Sequence, residues 1–263
     1  MRFLMILCAL AMSSLIMANE RDIPKAEDIV TKYADLGDPQ AQFVLARMYA
    51  DGRGVPQSDD LAIMWYERSA RGGFTEAQHR MGTNHLKGRF GLIEDPGEAF
   101  SWYILAAESE HKVSQYYVGN LMLKGEGVDQ NVVEGLNWLE RAAENNCKRA
   151  KARLGQVYEL GIGGIPVDNA IAVEWYLQAA KHDMSFAQRA LGRLYRNGKG
   201  VEKNTTEAAK WYRLAAEKGK VDAQLALAEM LESGEGGLAP NQTEASYWRQ
   251  RANNRGFAPG KLH

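Results

Sequence analysis

Cysteine is scarce in this chain of 263 residues, which holds only Cys8 and Cys147, so a framework of several disulfides is excluded. An excess of charge of either sign is also missing. Lys and Arg number 32 against 33 Asp and Glu, for a net charge of -1, and no basic block occurs. Nucleic acid is therefore not expected as a partner, because binding phosphates needs clustered cations that displace counterions. The histidines, at 79, 85, 111, 182 and 263, form no i, i+4 pair, and neither H-E-x-x-H nor C-x-x-C is present. No metal and no cofactor is expected. With 45% hydrophobic and 25% charged residues, the composition is that of an ordinary globular protein and excludes disordered, collagen-like and multi-pass membrane classes.

The one long apolar run lies at the very start. Arg2 precedes Phe3 to Ile16, and Ala18 offers a small residue for cleavage before Asn19, the layout of a secretory signal peptide over 1–18. The run has 14 residues, short of the roughly 20 that a spanning helix needs, so no membrane insertion is expected after cleavage. Cys8 follows bulky Leu7 and is not read as a lipid-attachment site. Removing 1–18 leaves 31 basic and 33 acidic residues, a charge of -2, and Cys147 as the lone cysteine. A single thiol forms no internal disulfide, and 245 residues suffice to bury a core without one. Cys147 follows Asn145 and Asn146 at an interhelix turn and is taken as a passive residue.

What the sequence does contain is a period. The six tryptophans, Trp65, Trp102, Trp138, Trp175, Trp211 and Trp248, are spaced by 37, 36, 37, 36 and 37 residues. Ala41, Ala77, Ser114, Ala150, Ala187 and Ala223 open the units in the same step, followed by Leu45, Met81, Val118, Leu154, Leu191 and Leu227. Small residues come next at Ala46, Gly82, Gly119, Gly155, Gly192 and Ala228, which lets two helices approach closely. Tyr49, His85, Met122, Tyr158, Tyr195 and Leu231 complete a stripe at helical spacing. Gly52, Gly88, Gly125, Gly161, Gly198 and Gly234 then stop the helix in a left-handed cap.

A polar turn and a second helix carrying the Trp follow. That helix has a thin face of alanines, such as Ala106, Ala107, Ala142, Ala143, Ala215 and Ala216, and ends near Gly73, Glu110, Asn146, Asp183, Gly219 and Gly256. The distance from stop Gly to Trp alternates between 13 and 14 residues, as expected if a two-unit block was duplicated, with the extra residue facing solvent. Burying one indole removes on the order of 200 Å2 from water, roughly 5 kcal/mol before entropy, so the tryptophans are expected to be structural. The organisation expected is a capping helix over 19–40, repeats at 41–76, 77–113, 114–149, 150–186, 187–222 and 223–256, and a tail over 257–263.

These units resemble Sel1-like repeats, a subfamily of tetratricopeptide-like helical repeats, through Ala187, Leu191, Gly192, Tyr195, Gly198, Gly200, Val201, Ala208, Trp211, Tyr212, Ala215 and Ala216 and their counterparts. The second unit departs from the pattern with His85 for Tyr and Phe90 for Gly. The resemblance implies an all-α fold, a right-handed α-solenoid of helix-turn-helix repeats whose first helices line a concave face. It also implies binding of a protein partner there. Relatives act as regulators of sensor kinases, parts of envelope assemblies, host-interaction factors or immunity proteins against toxins. Periplasmic or secreted, non-enzymatic partner inhibition or regulation is the function expected.

On that register the partner-binding residues are Phe43, Arg47, His79, Tyr116, Asn120, Leu123, Gln156, Arg189, Arg193, Arg196 and Glu229. Arg189, Arg193 and Arg196 share one helix face at i, i+4 and i+7 and suit partner carboxylates. The competing expectation is internal pairing with Glu159, Glu229 and Glu232. Ser109 to Lys112 spells S-x-x-K, and cysteine-rich relatives interact with β-lactams, which makes a hydrolase one alternative function, beside a structural component of an envelope assembly. No K-T-G or S-D-N companion is present, so no catalytic residue is assigned. The Gly-x-Gly motifs, such as Gly125 to Gly127, follow helices and are turns rather than phosphate loops.

Overall fold

The computed structural model describes residues 26–256, so the expected signal peptide and the tail lie outside the described residues. Within them are thirteen α-helices and no strand. The chain divides into two compact units, one up to Glu94 and one from Asp95. The first holds α1 (Ala26–Asp35), α2 (Pro39–Asp51), α3 (Asp59–Arg71) and α4 (Thr75–Leu86). The second holds α5 (Pro96–Glu108), α6 (Lys112–Lys124), α7 (Val132–Glu144), α8 (Lys148–Leu160), α9 (Asn169–Ala180), α10 (Ser185–Asn197), α11 (Thr205–Glu217), α12 (Val221–Ser233) and α13 (Gln242–Gly256). From α2 onward the even helices are the first and the odd helices the second member of each pair. In each unit consecutive helices pack together, so both are all-α solenoids of helix-turn-helix repeats.

The boundaries follow from capping. The first helices α2, α6, α8, α10 and α12 all end at a left-handed glycine, with φ between 64° and 72°. In the irregular second repeat, α4 stops one residue early, with Lys87 as its C-cap. Every second helix from α3 on begins at a Ser, Asp or Asn: Ser58, Asp95, Asn131, Asp168, Asn204 and Asn241 each accept a backbone N–H of the first turn. That side chain satisfies a donor the helix itself leaves orphaned. The extra residue in the longer fourth and sixth repeats is taken up by short 3-10 turns, Ile162–Gly164 and Glu235–Gly237. At the other end a glutamine clip adds a second bond to carbonyls that already accept a turn N–H: Gln42, Gln78, Gln115 and Gln224 donate their amides to Ala34, Ala70, Ala107 and Ala216 at 3.0 to 3.3 Å. Each clip ties the last turn of a second helix to the next first helix. Helix α1 takes part like any second helix.

The aromatic core corrects one expectation. Trp65, Trp138 and Trp248 are buried, but Trp102, Trp175 and Trp211 are only half-buried. In those repeats the residue after the Trp goes deepest: Tyr103, Tyr176 and Tyr212 are buried. In the fourth and fifth repeats, and for Leu139 after the buried Trp138 in the third, the small residue on the first helix makes the room. A Cβ on Gly155 would lie 2.7 Å from the Tyr176 ring, one on Gly192 2.7 Å from Tyr212, and one on Gly119 2.8 Å from Leu139. The glycine is thus a notch for the residue one beyond the Trp, and the indole lies beside that contact.

Helix α4 carries an anomaly. Asn84 is 0% exposed, and among the described residues neither atom of its amide has a hydrogen-bond partner. Equivalent positions hold Met48, Leu121, Val157, Leu194 and Met230. A buried unpartnered amide costs about 1–3 kcal/mol. Asn84→Leu is therefore expected to stabilise the protein by about that amount, measured as a higher denaturant midpoint; a lower midpoint would show that the amide is satisfied by bound water.

Candidate binding face on the first helices

The arginine row on α10 resolves the competition posed by the sequence. Arg189 pairs with Asp222 and Arg193 with Glu159. Arg196 donates to Glu229 at 2.9 Å and, through Nε and an amino nitrogen, to Glu235 at 3.0 and 2.7 Å. All three guanidinium groups are committed to α8, to α12 or to the turn after α12. Glu235 and then Glu229 push the Arg196 pKa further up, so it stays charged. Glu232 is not part of this set, because it pairs with Arg249 on α13 at 2.7 Å. Half-exposed pairs of this kind contribute little singly, about 0–1 kcal/mol each. Together they fix the register of three successive first helices.

Phe43 and Leu123, expected on an open face, are in the interior, 8% and 1% exposed. Phe43 packs against Tyr66 and Phe74, with ring centroids at 5.6 and 5.2 Å. Leu123 covers Gly135, where a Cβ would come within 3.1 Å of it. Each finds an apolar partner within its own part of the stack, and this removes both from contact with a partner protein. Arg47 is exposed on α2 and His79 half-buried on α4, where its carbonyl accepts from the Thr83 hydroxyl at 3.1 Å. Asn120 donates to the Tyr116 carbonyl at 2.9 Å, and Glu229 is exposed beside Arg196.

Tyr116 and Gln156, by contrast, meet. With Arg149, Ala152, Arg153, Met184 and Phe186 they line a cavity of about 300 Å3 formed by α6, α8 and the start of α10. Arg149, Arg153 and Gln156 follow the same i, i+4, i+7 spacing as the arginine row of α10. An amino group of Arg153 donates to Gln156 Oε1 at 2.6 Å, while its Nε is buried without a partner. Among the described residues neither Arg149 nor Arg153 has a carboxylate partner. Burial pushes the Tyr116 phenol up, with Tyr117 adding to the shift and Arg153 and Arg149 opposing it, so it stays a neutral donor and acceptor. The two arginines escape sequence reading because they fall one residue before and three after the opening Ala150, outside the positions expected to face a partner.

Ser109 closes α5, exposed, with its hydroxyl donating to the Leu105 carbonyl at 3.3 Å; Lys112 is the exposed first residue of α6. His111 between them is half-buried, and its Nδ1 accepts the Ser114 N–H at 3.2 Å. Cys147 is buried at the N-cap of α8 among Leu139, Ala143 and Leu154. Among the described residues no group of three or more His, Cys, Asp or Glu is placed to hold a metal, and no helix is long and apolar enough to cross a membrane.

Helix pairs clipped end to end, with a framework that repeats and face residues that do not, define a solenoid of the protein-binding class. The chain belongs to the Sel1 repeat family: the Sel1 repeat model matches residues 39–74, 75–111, 112–147, 148–184, 185–220 and 221–257. The crystal structure of a protective antigen of uropathogenic Escherichia coli superposes with a TM-score of 0.83 and 29% identity, covering 89% of this chain and 50% of that one. A Sel1 repeat protein from Oxalobacter formigenes gives 0.76 and 30%, covering 87% and 94%. Chitin synthase regulatory factor 3 of Schizosaccharomyces pombe is 30% identical over 156 residues, 58% of this chain and 17% of that protein. The chain thus spans less than a fifth of that curated relative.

Proposed function

We propose that this chain is an exported, non-enzymatic scaffold that binds one protein partner on the face of its first helices, in the periplasm or outside the cell, and inhibits or regulates it. The observation that carries this is the contrast within one helix face. Side-chain caps recur on all six second helices, clips in four repeats and notch glycines in three, while the residues around Tyr116 and Gln156 differ from repeat to repeat and border a cavity. A regulatory role is supported by the similarity to a chitin synthase regulatory factor. Ser109 and Lys112 take no part.

Capture of partner from an envelope extract, quantified by mass spectrometry, tests the proposal. Tyr116→Ala with Gln156→Ala is expected to lower recovery of one protein at least tenfold, with Ser109→Ala at the wild-type level. Recovery indifferent to Tyr116 and Gln156, or turnover of nitrocefin abolished by Ser109→Ala, would overturn it.

A further inference from the structure

We propose that the cavity beside Arg153 is a carboxylate pocket, built for a partner segment in which an Asp or Glu side chain stands next to an apolar residue. This rests on protein binding at the first-helix face and names the chemistry recognised there.

Charge complementarity points to the occupant. Arg189, Arg193 and Arg196 all have carboxylate partners within the chain, whereas Arg149 and Arg153, one repeat earlier, have none among the described residues. Arg153 already holds its Nε away from water with nothing bound to it. An incoming carboxylate meets the rest of the guanidinium, whose charge no carboxylate among the described residues offsets. A guanidinium presents its donors in a plane that matches two carboxylate oxygens. Arg149 is exposed and supplies a second cation at the rim. Tyr116 and Gln156 add neutral polar atoms from the facing helix and from the next turn.

The remaining lining is apolar. Ala152, Met184 and Phe186 offer surface to a neighbouring aliphatic or aromatic group, with Arg189 over the Phe186 ring at 5.3 Å. About 300 Å3 is at the lower end of the range for ligand sites, the size of one or two side chains. Recognition of a short acidic and apolar element fits that volume, and the rest of the partner would lie along the face outside.

The test is selection of random dodecapeptides, displayed on phage, against the whole chain. Enriched sequences are expected to place Asp or Glu beside an aromatic or aliphatic residue. A synthetic consensus peptide, amidated at its C-terminus, is expected to bind at least tenfold more weakly to the Arg149→Gln/Arg153→Gln variant. Replacing its acidic residue by the amide should cost the same factor, and the two changes together should cost no more than either. Arg71→Gln, on the exposed end of α3, is expected to stay within twofold. Should the double variant lose helical signal, Arg149→Gln alone, on an exposed side chain, is expected to weaken binding at least threefold. Enriched peptides without acidic residues, binding carried by the terminal carboxylate, or affinity indifferent to Arg149 and Arg153 would overturn the pocket while leaving protein binding standing. No enriched peptide at all would overturn both.

Discussion

Tyr176→Ala is expected to destabilise the protein by about 4 kcal/mol, while Trp175→Ala, one residue away, costs about half as much or less. The ring of Tyr176 is 0% exposed, lies in the notch left by Gly155, and meets Phe186 edge-on with centroids at 6.1 Å. Its hydroxyl donates to Glu159 at 2.9 Å. Truncation leaves a cavity between α8 and α9 and deprives Glu159, whose side chain is only 7% exposed, of one of its two partners. Trp175 is half-buried at the margin of a different cluster, around Leu139, Leu154 and Val157, so much of its contact is replaced by water. Equilibrium unfolding in denaturant measures both. A larger loss from Trp175→Ala would contradict the notch account.

Gly200→Ala is expected to cost about 3 kcal/mol or more, and Gly164→Ala only about 1–2 kcal/mol. Both glycines have positive φ, +71° and +82°, so each alanine bears the strain of a left-handed L residue. They differ in their surroundings. A Cβ on Gly200 would fall 2.2 Å from the backbone of Asn169 at the start of α9, whereas one on Gly164 meets nothing within 4 Å. The loop after α10 therefore rests on the second helix of the preceding repeat, backbone against backbone, and a methyl group would force the two apart. Since each repeat is stabilised by its neighbours, that separation should also reduce cooperativity. Equal destabilisation by the two variants would show that only φ matters and that the loops do not interlock.

The architecture was legible because it is written six times. Spacing alone yields the helix pairs, the stopping glycines and the close approach at Gly119, Gly155 and Gly192, since all depend on local conformation or on residue size. Two further periodic signals lie in the sequence: the Ser, Asp or Asn seven residues before every Trp, which cap the second helices, and the glutamines at 42, 78, 115, 188 and 224. The depth of Tyr176 relative to Trp175 was not legible, because rotation of a helix about its axis is set by what fills the facing notch. The face was legible in part. Tyr116 and Gln156 lie at a cavity, but Phe43 and Leu123 turn inward wherever apolar neighbours are available. Glu159 and Glu229 were among the expected partners of the arginine row and do pair with Arg193 and Arg196, whereas Asp222 and Glu235 were not, because pairing across 33 to 39 positions depends on how successive repeats are placed.

The central claim is that recognition is carried by the first helices. Its most direct test is a photo-crosslinking amino acid placed at Gln156 on α8 or at Leu214, an exposed residue of the second helix α11, in cells that produce the protein. A covalent product with a single protein is expected from position 156, suppressed by excess unlabelled chain, and none from position 214. A product from 214 alone, or equal yields from the two positions, would contradict it.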